Sequence, residues 1–118
     1  MTPMYYKVYE TDEALRDLFS ISVGIYEYTG DKASGENFIE KYSKTVESLN
    51  TFPMGFRGVS IEYKGYEIRI LPFENYNIFF IVDYDGKKVV ILRVLSQKQN
   101  WWKILRLGCF YHIQGEAI

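Results

Sequence analysis

Between Gly65 and Lys103 the chain reads GYEIRILPFENYNIFFIVDYDGKKVVILRVLSQKQNWWK: three apolar-rich runs, two turn signals, then a basic segment with two tryptophans. Leu71-Pro72-Phe73-Glu74-Asn75 breaks the first run and Tyr84-Asp85-Gly86 breaks the second, which predicts consecutive antiparallel strands. Side chains alternate faces along a strand, so loop length decides what each face displays. A three-residue Tyr84-Asp85-Gly86 loop sets Asp83 opposite Lys87, Phe79 opposite Ile91 and Asn77 opposite Arg93. A five-residue loop over 71–75 sets Ile70 opposite Tyr76. One face then carries Tyr66, Ile68, Ile70, Tyr76, Ile78, Phe80, Val82, Val90, Leu92 and Val94. The other carries Glu67, Arg69, Asn77, Phe79, Ile81, Asp83, Ile91 and Arg93. A two-residue Asp85-Gly86 turn would bury Arg93 among aliphatics, which is costly without a partner. The expectation is a core face and a mixed face with an Arg69-Asn77-Arg93 polar cluster.

Upstream, Tyr5-Tyr6-Lys7-Val8-Tyr9 predicts a short strand, and Thr11 or Asp12 caps a following helix. Leu15, Leu18, Phe19, Ser22, Ile25 and Tyr26 form its apolar stripe, and Gly30 ends it. A second helix starts near Ser34 with Phe38, Ile39, Tyr42, Val46 and Leu49 on one face and stops at Asn50. The turn-rich Phe52-Pro53-Met54-Gly55-Phe56-Arg57-Gly58 leads to a further short strand or extended edge over 59–63. The predicted class is α+β (β-α-α-β-β-β): two helices on one face of a small, mostly antiparallel sheet, with a short C-terminal helix.

The 118 residues are expected to form one domain over 1–118, with its core at about 5–105 and a tail at 106–118. Hydrophobic residues make up 47% and aromatics 18%, which excludes disorder for most of the chain. The single Cys109 allows no internal disulfide and favours a reducing compartment, and no apolar stretch approaches a membrane span, so the chain is expected in the cytoplasm without a membrane partner. Net charge is −1, but residues 1–56 hold five Lys/Arg against nine Asp/Glu while residues 57–106 hold nine against five. Such a split presents a local positive surface, or simply solvates two sides of a small domain. No Gly-rich phosphate loop, metal-ligand spacing or Ser/His/Asp set is visible, so no cofactor and no metal is expected. The lone His112 and Cys109 read as bystanders.

Several short patterns together carry a family likeness: Ala14 and Asp17-Leu18; Leu49-x-x-Phe52-Pro53-x-Gly55; Gly65-Tyr66-x-Ile68-Arg69; Tyr76-x-Ile78-Phe79; and Val90-x-Leu92-Arg93-Val94-Leu95 followed by Trp101. On them the chain resembles the RelE/ParE toxin superfamily of bacterial toxin–antitoxin systems over roughly residues 5–105. The resemblance implies one of two actions. RelE-like members cleave mRNA on the ribosome without a metal, using basic residues on the sheet to activate a 2′-hydroxyl and neutralise charge on phosphate. ParE-like members bind DNA gyrase and need no catalytic set. A degenerate toxin that keeps only antitoxin binding is the third reading.

Carried over by position, Glu67 and Arg69 stand where RelE-like enzymes often have two lysines, and Asn77 where an arginine is expected. Ser96-Gln97-Lys98-Gln99 replaces a His-Gly-x-Arg loop, and Trp101 or Trp102 replaces a stacking tyrosine. The resemblance thus implies a catalytic set of Arg69, Lys98, Glu67 and Arg93, with Asn77, Trp101, Trp102 and Lys103 contacting substrate. Pairing of Glu67 with Arg69 or Arg93 is the structural alternative. It also implies a cognate antitoxin, with an acidic or amphipathic segment laid over the mixed face.

Overall fold

The computed structural model describes residues 5–107. Strand β1 (Lys7–Glu10) leads into helices α1 (Asp12–Thr29) and α2 (Lys32–Glu47), followed by 3-10 turns at Ser48–Asn50 and Pro53–Gly55. Strands β2 (Gly58–Tyr63), β3 (Tyr66–Phe73), β4 (Tyr76–Asp83) and β5 (Lys88–Ser96) form a meander, and α3 (Trp101–Arg106) closes the described chain. The sheet order is β1-β5-β4-β3-β2, with β1 parallel to β5 and every other pair antiparallel. Among the described residues no helix is long and apolar enough to cross a membrane.

Local chemistry sets the ends of the helices. The Thr11 hydroxyl accepts the Ala14 amide at 3.0 Å, and Gly30 takes the left-handed conformation that ends α1, its amide reaching back to Tyr26. The Asp31 carboxylate caps α2 in the same way through Ala33. The two helices then cross closely at Gly35, where a Cβ would stand 2.8 Å from the Ser22 carbonyl oxygen. Their inner faces, with Ala14, Leu18, Phe38, Tyr42, Val46 and Leu49 buried, cover Phe73, Ile78, Phe80, Val82, Val89, Ile91 and Val94 of the sheet.

The α1 stripe differs from the predicted one. Ala14, Leu18, Ile21 and Ile25 face the core, while Leu15, Phe19 and Tyr26 are exposed. A small residue, Ala14, took a core position that a purely apolar count gave to its larger neighbour Leu15.

Register departs from expectation at both hairpins. Strand β3 runs through Pro72 to Phe73, which pairs with Tyr76 across a Glu74-Asn75 turn with Glu74 at φ 54°. Proline is tolerated because β2 pairs only as far as Gly58 opposite Arg69 and the Ile70 amide reaches Arg57. The side of β3 that Pro72 presents therefore meets no strand beyond that point.

The β4–β5 loop is one residue longer than expected. Asp83 pairs with Lys88, and Lys87 rather than Gly86 takes positive φ. Gly86 is needed for closeness instead, since a Cβ there would meet the Asp83 carboxylate at 2.4 Å. A bulge in β5 then shifts the pairing again, from Phe80 opposite Ile91 to Phe79 opposite Arg93 and Asn77 opposite Leu95.

The second face is consequently apolar rather than mixed. Ile68, Ile70, Phe79, Ile81, Val90, Leu92 and Leu95 are buried there with Val59 and Leu105, and Tyr9, Ile61, Tyr63, Tyr66, Trp101 and Ile104 pack around them. The expected antitoxin bed of Phe79, Ile81, Ile91 and Leu95 is therefore already dry, and Ile91 lies under the helices.

Candidate functional site

The Arg69-Asn77-Arg93 cluster does not form, and each side chain has a local reason to be elsewhere. Strand β1 ends opposite Ile91, so β5 loses its neighbour from Leu92 onward. Helix α1 takes over the orphaned backbone groups. The Thr11 hydroxyl donates to the Leu92 carbonyl at 2.8 Å, and the Asp17 carboxylate accepts the Val94 amide at 2.9 Å. The same carboxylate receives Arg93 in a two-pronged pair, Nε to Oδ2 at 2.8 Å and Nη2 to Oδ1 at 2.9 Å. Both side chains are only 14% exposed, so the guanidinium ties β5 to α1. Arg93 thus points toward the helices, where the expected register would have placed it on the open side.

Arg69 shares the helix-side parity of Leu71 and Phe73, but lies where the helices no longer reach. Its Nη1 donates to the Phe56 carbonyl at 2.6 Å and to the Met54 carbonyl at 3.3 Å, fastening the 3-10 turn that precedes β2. Glu67, two residues earlier, is exposed and packs against Gly58, whose missing side chain makes the room. Asn77 is buried on the opposite face, paired across the strands with Leu95 and Pro72.

The loop after β5 is ordered by its own side chains. The Ser96 amide donates to Gln99 Oε1, the Lys98 amide donates to Ser96 Oγ, and the Gln97 side chain reaches the Glu74 and Tyr76 carbonyls. That folding leaves the Lys98 ammonium in solvent. Asn100 then caps α3 through the Lys103 amide. Trp101 turns inward onto Phe79 (centroids 5.2 Å), whereas Trp102, Lys103 and Arg106 are exposed. The Arg106 guanidinium lies 6.0 Å from the Trp102 ring, at the outer limit of a cation–π contact.

Two functional side chains were not singled out from sequence. Asp17 appeared only as part of a family pattern, and no local spacing ties it to Arg93, 76 positions away. Arg106 had a signal available, being four residues after Trp102 and hence on the same helix face. A cleft of about 180 Å³ opens beside the Asp17–Arg93 pair, lined also by Ser20, Tyr76, Ser96 and Gln99. Among the described residues no three His, Cys, Asp or Glu side chains are grouped for a metal. Cys109 and His112 lie outside the described residues.

What the arrangement offers is a cationic, aromatic patch of Lys98, Trp102, Lys103 and Arg106 at one end of the sheet. Arg69, Arg93, Glu67 and Asn77 are dispersed around the rest of the domain. Two helices on one side of a five-stranded mixed sheet, closed by a short C-terminal helix, make this a RelE/ParE-like α+β domain.

Residues 8–101 match the family model described as the ParE toxin of the type II toxin–antitoxin system, parDE. The chain therefore belongs to the ParE toxin family. A solved chromosomal ParDE system from P. aeruginosa shares the fold at a TM-score of 0.63 and 22% identity, covering 77% of this chain and 95% of that one. The toxin–antitoxin complex RelBE2 from Mycobacterium tuberculosis aligns at a TM-score of 0.48 and 20% identity, covering 79% and 99%. Among curated proteins none matches the chain in sequence.

Proposed function

We propose that this toxin arrests growth by binding and poisoning a macromolecular target, the gyrase-directed action that its family likeness implies, and that it does not cut RNA. The observation that carries this reading is the engagement of its arginines. Cleavage by a 2′-hydroxyl needs a base, an acid and cations converging on one phosphate. Here Arg93 is held by Asp17 and Arg69 by two backbone carbonyls, on different elements, with Glu67 and Lys98 on others again. Binding asks only for an exposed, chemically distinctive surface, and the Lys98, Trp102, Lys103 and Arg106 patch supplies one.

The same patch gives the cognate antitoxin a place to act. An acidic antitoxin segment laid across those cations neutralises them and blocks the target-binding surface, so one contact both recognises and silences the toxin. Neutralisation is then competitive with target binding.

Induced expression in cells lacking the antitoxin tests the reading. Arrest is expected with DNA-damage signalling and without new transcript 5′ ends on primer extension. Trp102→Ala with Lys103→Ala is expected to relieve arrest while the circular dichroism spectrum stays unchanged. New transcript ends that vanish in Lys98→Ala would instead establish RNA cleavage.

A further inference from the structure

The outer side of the helical hairpin carries a second surface, opposite in charge to the patch on α3. Phe19 is 67% exposed and Tyr26 49%, with Leu15 and Val23 at 39% and 36%, forming a row along α1. These side chains border a groove of about 450 Å³ between α1 and α2, whose walls include Ser22, Val23, Tyr26, Gly35 and Ile39. The close crossing at Gly35 leaves the groove shallow and continuous along the hairpin. Exposed aromatic rows of this kind are uncommon on a domain that buries its other large apolar side chains.

Residues 12–47 hold eight Asp/Glu against four Lys/Arg. Three of those cations are already committed: Arg16 to Glu13, Lys44 to Glu40 and Lys41 to Glu74. Glu36 lines the groove and Glu27 stands exposed on α1 beside it, with Lys32 the cation at its end. An apolar floor with an acidic rim repels phosphate and anionic lipid, an acidic antitoxin segment, and a second copy of the same acidic hairpin. It attracts a basic amphipathic segment. Both walls are helices whose backbone groups are satisfied internally, so the groove offers no main-chain pairing to an extended strand and accepts a helix through side chains alone.

We infer that the α1–α2 groove is a protein-docking site for a basic amphipathic helix, separate from the antitoxin and target surface at α3. The row from Leu15 to Tyr26 runs roughly 16 Å at a rise of about 1.5 Å per residue. It therefore fits about three turns of partner helix, with apolar anchors at i, i+4 and i+7 and Lys or Arg on both flanks. The inference does not depend on how the toxin arrests growth.

The test uses the full chain and three labelled 18-residue peptides: a Leu/Lys amphipathic helix, the same pattern in Leu/Glu, and a scrambled Leu/Lys sequence. Fluorescence anisotropy is expected to show the first binding at least tenfold more tightly than either control. Amide shift changes should be confined to α1 and α2. Phe19→Ala and Tyr26→Ala, at exposed positions that leave the fold intact, should each weaken binding several-fold. Glu27→Lys with Glu36→Lys should transfer the preference to the Leu/Glu peptide. Equal binding of all three peptides would overturn the proposal, as would shifts centred on α3 or a charge reversal without effect. Sedimentation showing self-association abolished by Phe19→Ala would assign the groove to a second copy instead. Loss of antitoxin binding in the same variant would assign it to the antitoxin.

Discussion

Beneath α1 and α2, the side chains of Ile78, Phe80, Val89 and Ile91 are sealed by two long helices whose ends are capped and whose crossing is fixed at Gly35. On the opposite face, Phe79, Ile81, Val90 and Leu92 are equally dry. Their cover among the described residues is the six-residue α3 and the aromatic side chains of neighbouring strands. The first lid is tied down by polar bonds as well as packing: Asp17 to Arg93 and Val94, and Tyr42 to Glu10 at 2.6 Å. The second rests on Trp101 and Leu105 and on the Asn100 cap. A lid held by polar anchors resists local opening, whereas one held by a few apolar contacts opens at lower cost. The difference places the rigid half of the molecule away from the candidate binding patch and the more easily opened half beneath it.

The comparison can be broken at its strongest bond first. Asp17→Ala leaves a largely buried guanidinium and the Val94 amide without their carboxylate, and should cost about 3–5 kcal/mol in chemical denaturation. A loss below about 1 kcal/mol would show that α1 is held by packing alone. Leu105→Ala should cost about 2–4 kcal/mol. Its hydrogen-exchange signature is the sharper readout, with α3 and the second face opening while α1 and α2 stay protected. Uniform loss of protection would mean that the two lids unfold together.

Tyr42→Phe should cost about 1–2 kcal/mol, because it deletes a buried donor to a carboxylate. The wild-type phenol has its pKa raised, by burial first and then by the charge and hydrogen bond of Glu10. A raised folded pKa means that the unfolded chain releases this proton first, near the ordinary tyrosine value of about 10. The stabilisation is therefore intact below that pH and declines as pH rises above it. The difference in stability between wild type and Tyr42→Phe should narrow in strong alkali, and a gap independent of pH would refute this account. Lys103→Ala should change stability by less than about 0.5 kcal/mol, since its ammonium is exposed. If growth arrest is also unchanged, the α3 patch loses its assigned role.

Much of the architecture could be read from residue order. The caps at Thr11 and Gly30, the α2 core face of Phe38, Tyr42 and Val46, and the meander after Gly65 all announce themselves within a few positions, because the forces that set them act over one helical turn or one hairpin. The candidate site was less legible. Lys98, Trp102 and Lys103 were identified correctly as solvent-facing, whereas Arg69, Arg93 and Asn77 were placed together by a register that the molecule does not use. One extra loop residue at Lys87 and one bulge at Leu92 were enough to redistribute them, since a slip of one residue reverses every side chain on a strand.

What the sequence by itself determined is the set of elements, their order, the antiparallel pairing of β2 through β5 and the acidic–basic split between the helical half and the rest. Only the tertiary structure decided which face each strand residue meets. Pro72 is admissible in β3 because β2 stops short of it, and Arg93 turns to α1 because β1 ends at the level of Ile91. Both facts depend on where a strand distant in sequence runs out, and the hydrogen-bonding needs of an unpaired edge have no local signature in the residues that meet them.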